Sequence, residues 1–261
     1  MPENISFIGS GNLAWHLAPA FDNVGWVVKE VYSRNHRHAA QLTERLYQAE
    51  VKASLDFSTS DSSVFIIAVS DDNIREVVKE IILPEDAVLV HTSGSVELDA
   101  LQFAATPNIG VFYPLQTFSK TKKVDFKQIP IFIESNTTGV EEILLTLGNA
   151  ISQQVKRITS EERKALHVAA VFASNFTNHM LTLSEAVMQK NGLNSQWLSP
   201  LIIETINKVL QVGAPAAQTG PARRGDLETL EKHMTFLNDD PRLAELYQLI
   251  SQHIIDHYHE D

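Results

Sequence analysis

The chain has 261 residues, 44% of them apolar and 20% charged, and its 21 basic against 32 acidic residues give a formal net charge of −11. That balance suits a globular protein of one large or two modest domains; it disfavours a nucleic-acid partner, and no apolar run approaches the ~18 residues of a membrane span. The lack of cysteine excludes disulfides, thiolate metal sites and a cysteine nucleophile.

Only "MPEN" precedes the first apolar run, too little for the basic and apolar regions of an export signal. A cytoplasmic protein with no nucleic-acid or membrane partner is expected. Ile5–Ile8 reads as a buried strand, and Gly9-Ser10-Gly11-Asn12-Leu13-Ala14 follows in the G-x-G-x-x-G/A spacing of a dinucleotide-binding turn. In such a turn Gly9 makes the tight bend, Gly11 lets backbone approach a pyrophosphate and Ala14 keeps the next helix close to the sheet. The N–H groups of the first helical turn hold the anion. Leu13, Leu17 and Phe21 continue at helical spacing, while Pro19 removes a hydrogen bond in the third turn, at a cost of about 3 kcal/mol unless a kink absorbs it.

The second strand, Val27–Tyr32, ends in Ser33-Arg34-Asn35-His36-Arg37, without the Asp or Glu that would bind the ribose hydroxyls of NAD. A guanidinium at Arg34 suits the 2′-phosphate of NADP, with Ser33 and Asn35 as neutral donors. A solvated charge cluster opening the next helix is the other reading. Further strands are expected near Val51 and at Val64–Val69, Ala87–His91, Ile109–Tyr113, Ile129–Glu134 and Val155–Ile158. Helices are expected near 12–23, 36–48, 71–82, 96–104 and 138–152. The fold class is therefore α/β, a doubly wound Rossmann parallel sheet over residues 1–158. Ligands bind such sheets beyond the carboxyl ends of the strands. The loops "SDD" after Val69, "HTSGS" from His91 and "YPLQTF" from Tyr113 would meet over the nicotinamide half of the cofactor, which adds Val69, Ser70, Thr92 and Ser93 to the cofactor set. Turn chemistry alone would also explain each loop.

At Thr159 the pattern becomes purely helical, and Thr159 with Glu162 offers a capping box. The helix from there to Gly192 has a nearly apolar middle, as expected of one buried within its own domain or against a partner subunit. Residues 196–212, 226–237 and 241–258 also read as helices, so 159–261 forms an all-α domain. On the long helix His167, Ser174, Asn175 and Asn178 fall roughly on one face. Such a polar stripe needs partners, which a cleft over the nicotinamide would supply. His167 is the first choice as general acid, Ser93 the hydroxyl alternative and Asn175 a neighbour in the catalytic set; a hydrogen-bonded core histidine is the competing reading. In "TGPARRGD", Arg224 could fork onto a substrate carboxylate or, with Asp226, simply pin the loop. Asp226 should cap a helix starting at Leu227, and His233 lies two turns along it. His253 and His257 have a zinc-compatible spacing but read as a solvated terminus, so no metal is expected.

With "GSGNLA", "SRN", "HTSGS", "YPLQTF", "ALHVAAVFASN" and "TGPARRGD" in order, the chain resembles a family of bacterial NADP oxidoreductases that joins a Rossmann-like domain to an uncharacterised helical one. That family lies in the wider group of pyrroline-5-carboxylate reductase and the 6-phosphogluconate and β-hydroxyacid dehydrogenases. The resemblance implies a 6-phosphogluconate-dehydrogenase-C-terminal-like helical domain, a homodimer formed through it and a site between the domains. It names no substrate. The lysine–asparagine pair that serves the β-hydroxyacid branch is absent, since Lys164 has Val168 four residues on, and Tyr113 stands where the family motif has histidine. The expected function is hydride transfer between NADP and a C=O or C=N carbon of a small, anionic metabolite. The alternative is a non-catalytic NADP-binding sensor or regulatory protein.

Overall fold

Each apolar run of the N-terminal half becomes a strand of one sheet. The computed structural model describes residues 4–259; residues 1–3, where an export signal was judged to have no room, and 260–261 lie outside the described residues. The strands are β1 (Asn4–Ile8), β2 (Val27–Tyr32), β3 (Glu50–Lys52), β4 (Val64–Ile67), β5 (Val88–His91), β6 (Asn108–Pro114), β7 (Ile131–Ser135) and β8 (Val155–Arg157). Their order across the sheet is β3-β2-β1-β4-β5-β6-β7-β8. Chain order reverses between β1 and β4, which opens a crevice at the carboxyl ends of those strands.

Alternate side chains of the strands enter two cores, as the two-residue period requires. On one face Ile5, Phe7, Val64, Ile66 and Phe112 pack with Leu17 and Phe21 of helix α1 (Asn12–Asp22) and with Leu144 and Leu147 of helix α4 (Thr138–Ile151). On the other, Ile8, Phe65, Ile67 and Leu89 meet Ile74, Val77 and Val78 of helix α3 (Asp71–Glu80). Pro19 is accommodated inside α1 by a neighbour. The Trp15 carbonyl, whose helical donor Pro19 cannot supply, accepts from the Arg45 guanidinium instead.

Three expectations need correction. The sheet is not wholly parallel: β7 runs antiparallel to β6, and β8 runs parallel to β7. The link from β6 to β7 contains no crossover helix, only a short turn at Phe126–Gln128, so the chain doubles back on itself. Helix α2 (His36–Thr43) ends before 48. The helix read at 96–104 is a single 3₁₀ turn, Leu98–Leu101, because the segment before it is tethered elsewhere. Val96 N donates to Ser93 Oγ, the Val96 carbonyl accepts from Arg163, and Leu98 N donates to Ser160 Oγ.

Beyond β8 the chain is helical. Thr159 and Glu162 form the expected capping box for helix α5 (Ser160–Ala170). The helix then widens into a π segment, Val171–Phe176, before continuing as α6 (Thr177–Lys190). This wider register breaks the straight-helix spacing that placed His167, Ser174, Asn175 and Asn178 on one face. His167 and Ser174 are half-buried, whereas Asn175 and Asn178 are exposed. Nor is the helix buried on several sides within the chain: Phe172 is 64% exposed, while Arg163 is fully buried.

The chain divides into two compact units, one through Met180 and one from Leu181. The composition break at residue 158 marks the end of the sheet, and the first unit continues past it because Arg163 and His167 bond to strand-end residues. In the second unit lie α7 (Ser199–Val212), α8 (Ala214–Ala217), α9 (Pro221–Arg224), α10 (Leu227–Phe236) and α11 (Pro241–His259). Among the described residues no helix is long and apolar enough to cross a membrane.

Candidate active site

The turn after β1 is built for close approach. Gly9 has φ +115°, and a Cβ there would lie 2.2 Å from the Ala68 carbonyl oxygen, so only glycine fits. Gly9 N donates to the Tyr32 carbonyl at 2.8 Å, which ties the turn to the end of β2. A Cβ on Gly11 would meet no protein atom closer than 3.9 Å; the space it leaves open belongs to the crevice. The start of α1 has no side-chain cap and no acidic residue in its first turn, so its N–H groups keep their capacity for an outside anion.

This crevice is a cavity of about 670 Å³. Gly9, Ser10, Gly11, Asn12, Leu13, Ser33, Arg34, Val69, Ser70, Thr92 and Ser93 all line it, as do Asp71 of the "SDD" loop and a set that the sequence did not single out, including His38, Asn73 and Lys120. Glu76 and Glu80 of α3 also reach it, so carboxylates are present, but not at the end of β2. Two expected residues stand back from the cavity. Ala14 is fully buried against the core, and Asn35 caps α2, its Oδ1 accepting from Arg37 N at 3.0 Å.

The "HTSGS" loop after β5 leads from this cavity to the long helix. Ser93 Oγ accepts from Ser95 N and Val96 N at 3.1 and 3.0 Å, so this hydroxyl is occupied in shaping the turn. Gly94 has His167 and Tyr113 directly against it: a Cβ would fall 2.5 Å from His167 Nδ1 and 2.7 Å from Tyr113 Cζ. These two side chains share a hydrogen bond, Tyr113 Oη to His167 Nδ1, at 3.1 Å. Burial holds the Tyr113 phenol above its usual pKa, with the Arg163 guanidinium opposing and the Asp71 carboxylate reinforcing that shift. Nearby, Ser95 Oγ donates to Asp71 Oδ2 at 2.5 Å.

Behind the pair lies a buried ionic network that the sequence did not announce. Arg163 donates to the Ser93 and Val96 carbonyls at 3.0 and 2.6 Å and to Glu134 Oε2 at 2.9 Å. Ser160 adds its N–H and hydroxyl to the same carboxylate. The network fixes the first turns of α5 to the loop and to β7, and so sets where His167 sits one turn further on. Its only sequence signal was a charged residue just inside a capping box, the usual place for a solvated side chain.

In the second unit Asp226 caps α10 as expected, accepting from Thr229 N at 3.1 Å and Thr229 Oγ1 at 2.8 Å. Arg224 is 65% exposed and meets Asp226 only at 3.9 Å. His233 Nδ1 and the Tyr247 hydroxyl are 2.7 Å apart, and His259 Nε2 donates to the Arg223 carbonyl at 3.0 Å. Among the described residues no three ligating side chains converge as a metal site.

Residues 3–110 match the model of a Rossmann-like domain, and residues 129–254 match a domain of unknown function, DUF2520. The structure of the "putative NADP oxidoreductase" of Bacteroides fragilis is 38% identical, with a TM-score of 0.87 over 97% of this chain and 98% of that one. The fold is shared with a reductive aminase from Aspergillus terreus, solved with NADPH and ethyl levulinate, at 14% identity and a TM-score of 0.71 over 99% of this chain and 95% of that one. A pyrroline-5-carboxylate reductase from Coxiella burnetii shares it too, at 14% identity and a TM-score of 0.58 over 100% of this chain and 98% of that one. No curated protein matches the chain. The chain belongs to the family of bacterial NADP oxidoreductases in which a Rossmann-like domain is followed by a DUF2520 domain.

Proposed function

We propose that this protein is an NADP-dependent reductase or dehydrogenase of a small, anionic carbonyl or imine metabolite, drawing on the cytoplasmic coenzyme pool. One observation carries the reading: the uncapped α1 turn, Ser33–Arg34 and Thr92–Ser93 meet in one cavity, and the hydrogen-bonded His167–Tyr113 pair packs against Gly94, the next residue of the same loop. The residues suit the coenzyme. Backbone N–H groups from Gly11 to Leu13 would hold the pyrophosphate, and Arg34 with Ser33 would hold the 2′-phosphate. When bound, the coenzyme supplies the hydride, two electrons and one hydrogen nucleus, to the substrate carbon.

The remaining proton is the protein's to deliver. Tyr113, kept protonated by burial, donates to His167 Nδ1 and thereby holds the imidazole with its proton on Nε2. As His167 Nε2–H protonates the substrate oxygen or nitrogen, Nδ1 takes up the Tyr113 hydroxyl proton, so the imidazole keeps one proton throughout and the phenolate, with the Arg163 charge near it, recovers its proton from solvent. Ser93 orders the loop instead, since its oxygen already accepts two backbone N–H groups.

The helical region serves self-association in this reading. Its support is the apolar surface exposed along it, with Phe172 at 64%, Trp197 at 66% and Leu210 at 79%.

Thermal unfolding tests the cofactor. NADPH at a hundredfold excess over Kd should add about 2.7 kcal/mol, which raises Tm by several degrees at roughly 2–4 °C per kcal/mol. Equal shifts with NADH would overturn the NADP assignment. Turnover followed by NADPH absorbance against keto acids, aldehydes and cyclic imines tests the reaction. His167→Ala should lower kcat by about a hundredfold or more with NADPH affinity nearly intact, and unchanged turnover would remove His167 from the mechanism.

A further inference from the structure

The loop between β6 and β7 follows a tightly determined path. Phe118 stacks on His16 of α1 at 6.0 Å between ring centroids and on Phe126 at 5.9 Å. His16 Nε2 donates to the Ser119 carbonyl at 2.9 Å. The next residue, Lys120, places its ammonium 4.7 Å from the centroid of Trp15 and lines the cavity together with Gly11, Asn12 and Leu13. The strap therefore crosses the first turns of α1 and delivers a cation to the end where that helix presents its free N–H groups.

Charge points the same way. Residues 119–127 carry Lys120, Lys122, Lys123 and Lys127 against the single Asp125, in a chain whose formal net charge is −11. Such a local concentration of lysine against an acidic background attracts anions to one place. Trp15 holds Lys120 over the helix through a cation–π contact, and Lys120 has no ion pair among the described residues. Its ammonium is thus free to pair with an arriving anion.

We propose that Lys120 is a coenzyme-binding residue, closing over the pyrophosphate from the side opposite the glycine turn. This rests on the dinucleotide reading of the cavity. It assigns the two cations different work: Lys120 recognises what NADPH and NADH share, whereas Arg34 recognises the 2′-phosphate that only NADPH carries. His16 is a positioning residue for the strap.

Fluorescence or calorimetric titration of the full chain with NADPH and with NADH separates these roles. Lys120→Met should weaken both coenzymes alike, by at least about tenfold, as expected for the loss of one charge-assisted contact, and should flatten the salt dependence of both. Lys120→Arg should recover most of the affinity. Arg34→Ala should weaken NADPH and leave NADH unchanged. His16→Phe, which keeps the stacking with Phe118 but removes the hydrogen bond, should weaken both coenzymes less than Lys120→Met while leaving the salt slope intact. Unchanged affinities in Lys120→Met would overturn the proposal, and so would a loss confined to NADPH. Failure of the unmodified protein to bind either coenzyme would instead overturn the dinucleotide reading itself.

Discussion

Gly94 shows how much of a site can rest on one absent side chain. Its hydrogen faces His167 Nδ1 and Tyr113 Cζ at distances where a methyl group cannot stand. Gly94→Ala should therefore part the His167–Tyr113 pair, lowering kcat while coenzyme affinity holds, as kinetics and titration on the same variant would show. His91, two residues before Ser93, is a different kind of constraint. It is fully buried, and its Nδ1 accepts from Ser93 N at 3.1 Å. Burial, with the Arg163 charge beside it, pushes its pKa from 6.5 down to about 4, against weaker upward pulls from the Glu97 carbonyl and Asp71. Between those values the unfolded chain binds the proton and the folded protein does not. Stability from this residue is thus complete above pH 6.5 and is lost as pH falls toward about 4. His91→Asn keeps an acceptor for Ser93 N without the titration, so its Tm should decline less than the parent's over that interval.

Strands were legible because their information is local: all eight apolar runs paired, and the glycine turn fell where its spacing put it. Strand direction was not, since hydrophobic alternation is the same read either way, and only the helix-free link before β7 carried a hint. The 3₁₀ turn at Leu98–Leu101 was misread for a related reason. Its apolar residues suit a helix, but Arg163, more than sixty residues away in sequence, claims the Val96 carbonyl. Long-range polar partnerships of this sort leave no period to detect, which is why the Arg163–Glu134 pair and Tyr113's role beside His167 emerged only in three dimensions. Removing one member of a buried pair exposes the other to an unbalanced burial cost, so Arg163→Met should destabilise by about 3–5 kcal/mol. Chemical denaturation would measure this, and Arg163→Met with Glu134→Gln should cost less than the single losses added together.

At the scale of the molecule the exposed apolar residues of the helical region form the strongest unexplained surface. Val168, Phe172 and Phe176 succeed one another at four-residue spacing, 52%, 64% and 49% exposed, with the last two rings 5.0 Å apart. If this face is a seam between two copies, Phe172→Glu should halve the solution mass measured by light scattering while far-ultraviolet circular dichroism stays the same. A parent protein that is already monomeric at tens of micromolar would dismiss the seam. The π segment adds a condition of its own. Its turns hold about one residue more than the α turns they replace, so excising one of its six positions would let the coil tighten to 3.6 residues per turn with every later side chain left nearly on its old bearing. For this stretch of chain, losing one residue should be a gentler injury than the same loss in the straight turns on either side.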